Sequence, residues 1–243
     1  MSVTLLQLKV LLCGTDGTQG ILQDNAYYSG ITTRINDAVK YIAGGVHIPK
    51  GYGYDDVFSP PLPNLFSTDT VDTATDAAYV SLPDTFQRSL EMVADENGYQ
   101  IFPPRGGDYE SFGLFMRQIT EKDLSETGDV VIACANGNNL FYQAIPSSAE
   151  TLTLHFYRLP VDMSDDTDTV DGIPDRFAKD LIAHRVLADI YGGDLEDGDN
   201  SMQKGFKYHE SKFYQKMVEL IMFIGISNAK PQYIGSDSGY DEY

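Results

Sequence analysis

The sequence predicts an α+β protein, with a helical bundle built from both ends of the chain, an inserted antiparallel β-rich domain and an extended C-terminal tail. Two observations predict this. Apolar residues recur at three- and four-residue spacing over 31–46 and again over 175–225, the pattern of amphipathic helices. Between those stretches, short runs alternate apolar and polar residues at a period of two, the pattern of half-buried strands. The domain boundaries that follow are 1–46 with 172–226 for the helices, 47–77 for an extended insertion, 78–171 for the β-rich part with a short helix, and 227–243 for the tail.

The elements follow in order. Residues 3–12 form a short apolar helix, stopped by "CGTDGTQG". Ile31, Ile35, Ala38, Val39, Ile42 and Val46 then share one helical face, with Ser29 as a cap and Gly44-Gly45 weakening the far end. Residues 47–77 contain four prolines and many Asp and Thr, and read as a long excursion that is neither helix nor sheet. Its Tyr52, Tyr54, Phe58 and Phe66 imply that it packs against something.

From residue 78 the signal turns to strand. "AYVSLP" is short and apolar, and "RSLEMVADENGYQIF" reads as a hairpin turning at Glu96-Asn97-Gly98. A helical insert follows, with Tyr109, Phe112, Met116 and Ile119 on one face. Residues 128–160 read as a three-stranded meander, in whose last strand Leu152, Leu154 and Phe156 alternate with Thr151, Thr153 and His155. After an acidic loop, Pro174 and Asp175 suit a helix start. Phe177, Leu181, Ile182, Val186, Ile190 and Tyr191 form the apolar face of that helix, His184 lies on its polar side, and Gly192-Gly193 ends it. A last helix near 200–225, capped by Asp199 or Asn200, buries Phe206, Phe213, Met217, Leu220, Ile221 and Ile224. "SNAKPQYIGSDSGYDEY" has no periodicity and reads as a tail that only a partner orders.

Charge narrows the function. The 243 residues carry 36 acidic and 17 basic side chains, a formal net charge of −19. Such a surface repels phosphate backbones and suits neither a basic nucleic-acid patch nor a polybasic membrane anchor. It does suit the wall of a DNA passage, because repulsion keeps a duplex from sticking. The N-terminal apolar run lacks a basic flank and a cleavage site, and no stretch approaches transmembrane length, so synthesis in a cytoplasm is expected. Cys13 and Cys134 read as buried thiols in a reducing compartment, with a long-range disulfide as the alternative.

Few residues offer chemistry. In "HFYRLPVDMSDDTDTVDGIPDRF" (155–177), Asp166, Asp168, Asp171 and Gly172 approach the spacing of a calcium loop. The third acid comes one position late, however, and Phe177 or Ala178 stands where a closing glutamate belongs. The segment therefore reads as a solvated connector, with a calcium site as the alternative. The four histidines show no zinc spacing, and His184 reads as a surface i,i+4 partner of Asp180. Cys134 reads as a structural thiol, and no phosphate-binding loop or nucleophile elbow is present. Neither a cofactor nor an enzymatic activity is expected.

The order of segments carries a resemblance. "TTRINDAVKYIAGG", short strands from "SLPDTF", the run "NNLFYQAIPSSAETLTLHFYRLPVDM" and the helix of "DGIPDRFAKDLIAHRVLADIYGGD" together resemble the head–tail connector (adaptor) proteins of tailed bacteriophages. Residues 30–46 and 78–225 carry the likeness. The chain departs from the pattern in lacking the usual tryptophan of the penultimate helix and in the length of 47–77. The resemblance implies a non-enzymatic ring of about twelve copies, with the portal protein above and a tail or nozzle protein below. Genome DNA would pass through without specific binding, and no membrane would be involved. The location implied is the head–tail interface of the virion, after synthesis in the host cytoplasm. Expected partner-binding residues are Tyr233, Ile234 and Tyr240 of the tail and Tyr52, Tyr54, Phe58 and Phe66 of the insertion. Two other readings stand beside it: another tail-completion or nozzle ring protein, and a calcium-assisted binding module.

Overall fold

A computed structural model describes residues 2–13, 30–52, 57–75, 77–120, 126–193 and 200–225. The described elements are α1 (Leu5–Cys13), α2 (Ile31–Gly44), β1 (His47–Ile48), β2 (Val57–Phe58), a 3-10 turn (Pro63–Leu65), β3 (Phe66–Asp72), β4 (Tyr79–Ser81), β5 (Phe86–Ala94), β6 (Gln100–Ile101), α3 (Phe112–Thr120), β7 (Ile132–Asn136), β8 (Asn139–Gln143), β9 (Thr151–Arg158), α4 (Asp175–Gly193) and α5 (Asn200–Ile224). The fold is α+β. Two compact units form, one within Met1–Asp69, Pro83–Ser89 and His155–Gly225, the other within Thr70–Leu82 and Leu90–Leu154.

The first unit holds α1, α2, α4 and α5 around one apolar core. In α1, Thr4 and Gln7 exchange side-chain to backbone hydrogen bonds, a capping box written as Thr-x-x-Gln. In α2, Ile31, Ile35, Ala38, Val39 and Ile42 are buried, as their spacing predicts. Its N-cap is Gly30, and Ser29 lies outside the described residues. At the other end Gly45 has φ +100°, a left-handed turn beside the Arg88 guanidinium. The Pro174 carbonyl starts α4 by accepting the Phe177 and Ala178 N–H groups. Phe213, Met217, Leu220 and Ile221 of α5 are buried in this core, whereas Phe206 is only half-buried. Asp199 lies outside the described residues.

The 47–77 stretch corrects the expectation that it is neither helix nor sheet. Its β1 and β2 pair antiparallel, and β3 becomes the edge strand of a four-stranded sheet ordered β3-β9-β5-β6. Alternating Thr and Asp in "FSTDTVD" suits an edge strand with most of its side chains exposed. Backbone bonds fasten the middle of the stretch: Ser59 and Val46 bond through their main chains at 2.8 Å, and the Ser59 hydroxyl accepts from Val46 N–H.

The second unit contains β4, β6, β7, β8 and α3. The expected hairpin at 96–98 is present: β5 pairs antiparallel with β6, the Asp95 carboxylate accepts the Asn97 and Tyr99 N–H groups, and Gly98 has φ +82°. The expected three-stranded meander is divided, however. β7 and β8 form its first hairpin, yet β8 takes β4 as its second neighbour, and β9 joins β3 and β5 instead. The separation falls at "AIPSS", where Pro146 cannot donate to a ladder. In β9, Leu152, Leu154 and Phe156 are wholly buried. In α3, Phe115 and Ile119 are buried against Cys134 with Phe112 packed beside them, so the expected face holds at Phe112 and Ile119, while Phe115 replaces the exposed Met116. Both cysteines are buried and free. Burial, aided by the Asp108 and Glu110 charges, pushes the Cys134 thiol up to about 12, so it stays protonated and inert.

Candidate docking surfaces and the aspartate loop

The loop over 159–174 holds its aspartates apart. Asp166 pairs with Lys9 at 2.8 Å. The Asp168 carboxylate turns inward on its own loop and accepts the Asp165 and Ser164 N–H groups at 2.8 and 2.7 Å. Those two bonds hold Asp168 below the usual carboxylate range. Asp171 accepts from both terminal nitrogens of the Arg158 guanidinium, at 2.6 and 3.1 Å, and from the Val161 N–H at 2.9 Å. Burial pushes Asp171 up, but the Arg158 bonds and the Val161 and Gly172 amides outweigh it and leave its pKa low. Three carboxylates with three separate internal partners do not converge on a cation. Among the described residues, no group of three or more His, Cys, Asp or Glu is placed to hold a metal ion.

What the loop does hold is the helical unit. Its Asp168 and Asp166 carbonyls accept the Leu5 and Leu6 N–H groups, satisfying two donors at the start of α1 that no intrahelical partner can reach. Asn36 of α2 clasps the Met163 backbone with both ends of its amide, at 3.0 Å each, and Lys40 reaches Asp162. Gly172 has φ +84°, and a Cβ there would meet the Leu65 side chain, so only glycine closes this loop.

The expected partner-binding aromatics divide into three groups. Tyr52 is half-buried with its ring 5.1 Å from that of Tyr214, so it serves the protein's own core. Phe58 and Phe66 are exposed by 67% and 49%, Phe58 beside His47 and Phe66 stacked on His155. Tyr54, Tyr233, Ile234 and Tyr240 lie outside the described residues. Sequence spacing did not mark Met222 and Phe223 at the end of α5, which are exposed by 66% and 50%. The doublet itself is the available signal, since neighbouring helical positions do not face the same way.

A histidine pair also escaped the sequence. His184 of α4 and His209 of α5 meet Nδ1 to Nδ1 at 3.0 Å, with Tyr191 stacked on His209. One ring must donate and the other accept, so the contact needs at least one neutral imidazole. Burial lowers the pKa of both; the Lys212 and Lys216 charges lower His184 further against the opposing pull of Asp180, and His184 lowers His209. A depressed histidine binds protons more readily when unfolded, so its stabilisation is complete above about pH 6.5 and declines in acid. Urea unfolding at stepped pH is expected to show stability falling from about pH 7 toward 5. His209→Gln is expected to flatten that fall; an unchanged slope would assign it elsewhere.

The carboxylates of the loop and the histidine pair bind partners within the protein, and Phe58, Phe66, Met222 and Phe223 stand exposed. A family model described as SU10 adaptor protein matches residues 10–230. The chain belongs to that family of phage head–tail adaptors and is a structural phage protein. No curated protein matches it. Among the described residues no helix is long and apolar enough to cross a membrane.

Proposed function

We propose that the protein forms a ring of about twelve copies that joins the portal to a tail or nozzle protein and surrounds the path of the genome. Membership of the adaptor family carries this reading. The net charge of −19 supports a conduit that DNA crosses without adhering. Exposed Phe58, Phe66, Met222 and Phe223 supply apolar anchors for neighbours. We further propose that the helical segments 1–46 and 172–226 form a bundle carrying a β-rich insertion over 78–171. The 47–77 excursion, through Phe58 and Phe66, and the 227–243 tail, through Tyr233, Ile234 and Tyr240, would engage the portal or an adjacent copy. Tyr54 belongs to the same excursion.

Mass photometry tests the reading. The purified protein is expected to run as a monomer alone and to add a complete ring to portal particles from the same phage. A monomer that leaves portal particles unchanged in mass sinks the proposal.

A further inference from the structure

The junction of α4 and α5 holds two imidazoles at chelating distance. His184 Nδ1 and His209 Nδ1 lie 3.0 Å apart. An ion about 2.05 Å from each nitrogen, the usual length of such a bond, would subtend about 94° between them. That is the angle between neighbouring positions of a square-planar or octahedral ion. A tetrahedral ion would need the two nitrogens about 3.3 Å apart. The rings are held from both helices. Tyr191 of α4 stacks on His209 at 5.5 Å and 6°, and Tyr208 of α5 stands edge-on to both rings, 6.4 Å from His184 and 5.1 Å from His209. The helices are drawn tight at this level: a Cβ on Gly205 would lie 2.9 Å from the Tyr191 ring, and one on Gly192 3.2 Å from the Phe206 ring. The spacing of the imidazoles is therefore set by close packing of the helices, not by the rings alone.

We propose that His184 and His209 form a two-histidine site for a late divalent transition-metal ion, Ni²⁺ or Cu²⁺ by its angle, which ties α4 to α5 while water fills the remaining positions. Imidazole nitrogen is a favoured donor for these ions. Burial holds both rings below the ordinary histidine pKa, so protons compete little for them at neutral pH. In the hydrogen bond, one ring carries its proton on Nδ1. On binding, that proton leaves to water and another is taken up at Nε2 of the same ring, so both imidazoles stay neutral and no net proton is released. Each ring turns about its terminal torsion, whose wells are broad, to aim its lone pair at the ion. Both rings are only half-buried, which leaves room for water on the ion. The charges around the pair nearly balance. Asp180, one turn before His184, attracts a cation; Lys212 and Lys216 repel it, and Glu219 at 2.8 Å offsets Lys216. Two protein donors make a site that loads and empties with the metal supply, unlike a closed four-ligand centre.

The site lies wholly within α4 and α5 of one copy, so it stands or falls without any ring. The test is a thermal melt of the full chain, first stripped with a chelator and then given about 100 μM Ni²⁺ at about pH 7.5. The midpoint is expected to rise by about 2–4 °C. The same concentration of Mg²⁺, which prefers oxygen donors, is expected to leave it unchanged. His209→Gln removes one donor and is expected to abolish the rise. Because that variant also loses a native hydrogen bond, electron paramagnetic resonance of the wild-type chain with equimolar Cu²⁺ supplies an independent reading, and two nitrogen donors are expected. An unmoved midpoint with Ni²⁺, an equal rise with Mg²⁺, or a rise that survives His209→Gln would overturn the proposal. A Cu²⁺ spectrum with fewer than two nitrogens would do the same, assigning the metal to surface carboxylates.

Discussion

Truncating Phe213 to alanine is expected to destabilise the helical unit by about 3–5 kcal/mol, the range for emptying a large buried aromatic. Phe213 lies on the inward face of α5, 2% exposed. Its ring is 5.5 Å from Tyr214 and 6.1 Å from Tyr41, and the Arg185 guanidinium lies over the Tyr41 ring beside it. Removing it leaves a cavity between helices that come from opposite ends of the chain, where relaxation of one wall drags on the others. Urea unfolding followed by far-ultraviolet circular dichroism measures the loss. Phe223→Ala, ten residues along the same helix but half exposed, is the matched control and is expected to cost less than about 1 kcal/mol. Equal losses for the two would contradict the burial pattern of α5.

Asp171→Ala is expected to remove about 2–3 kcal/mol at neutral pH, because it strands a half-buried guanidinium and a backbone N–H together. Arg158 is the last residue of β9 and Asp171 closes the loop that follows, so the bidentate pair fixes the path between sheet and helix. The pH dependence has a definite sign. The folded pKa of Asp171 lies below its ordinary value, since Arg158 and two amides overcome the effect of burial. The stabilisation is therefore complete above about pH 4 and is lost as pH falls through the lower folded value. Wild type and Asp171→Ala are expected to differ at pH 7 and to converge in strong acid. A difference that persisted undiminished at pH 2 would rule out the ion pair as its source.

The helices were the most legible part of this sequence, and the reason is geometric. Periodicity reports one buried face, and the buried residues of α2 are those that its spacing names. The hairpin at Asn97-Gly98 was legible for a similar reason, since its turn chemistry is local. Strand partnership was not. β8 and β9 are neighbours in sequence, yet each takes at least one partner more than 50 residues upstream, β8 pairing with β4 and β9 with β3 and β5, and alternation says nothing about which edge a strand will find. β3 was hidden because an edge strand of Thr and Asp has no apolar face to announce it. Among the aromatics of 47–77, the sequence could not say which remain exposed: Phe58 and Phe66 do, whereas Tyr52 packs on Tyr214. The histidine pair joins residues 25 positions apart on two helices, so it depends on a register that neither helix encodes alone.

The aspartate loop has a consequence for the order of events at the ribosome. Thr4 bridges to Thr169, and the first amides of α1 find their acceptors at Asp166 and Asp168. An N-terminal helix of nine apolar-rich residues is too short to persist alone in water. It must therefore wait, exposed, until more than 160 residues have been made. Most of the second unit, by contrast, lies within 70–154 and has all its strands by the time residue 154 emerges. At the usual pace of synthesis, roughly 8–30 seconds separate the emergence of α1 from that of its acceptors at Asp166 and Asp168. During that interval the apolar face of α1 is unprotected, which makes the nascent chain a natural client for chaperones that bind short apolar segments.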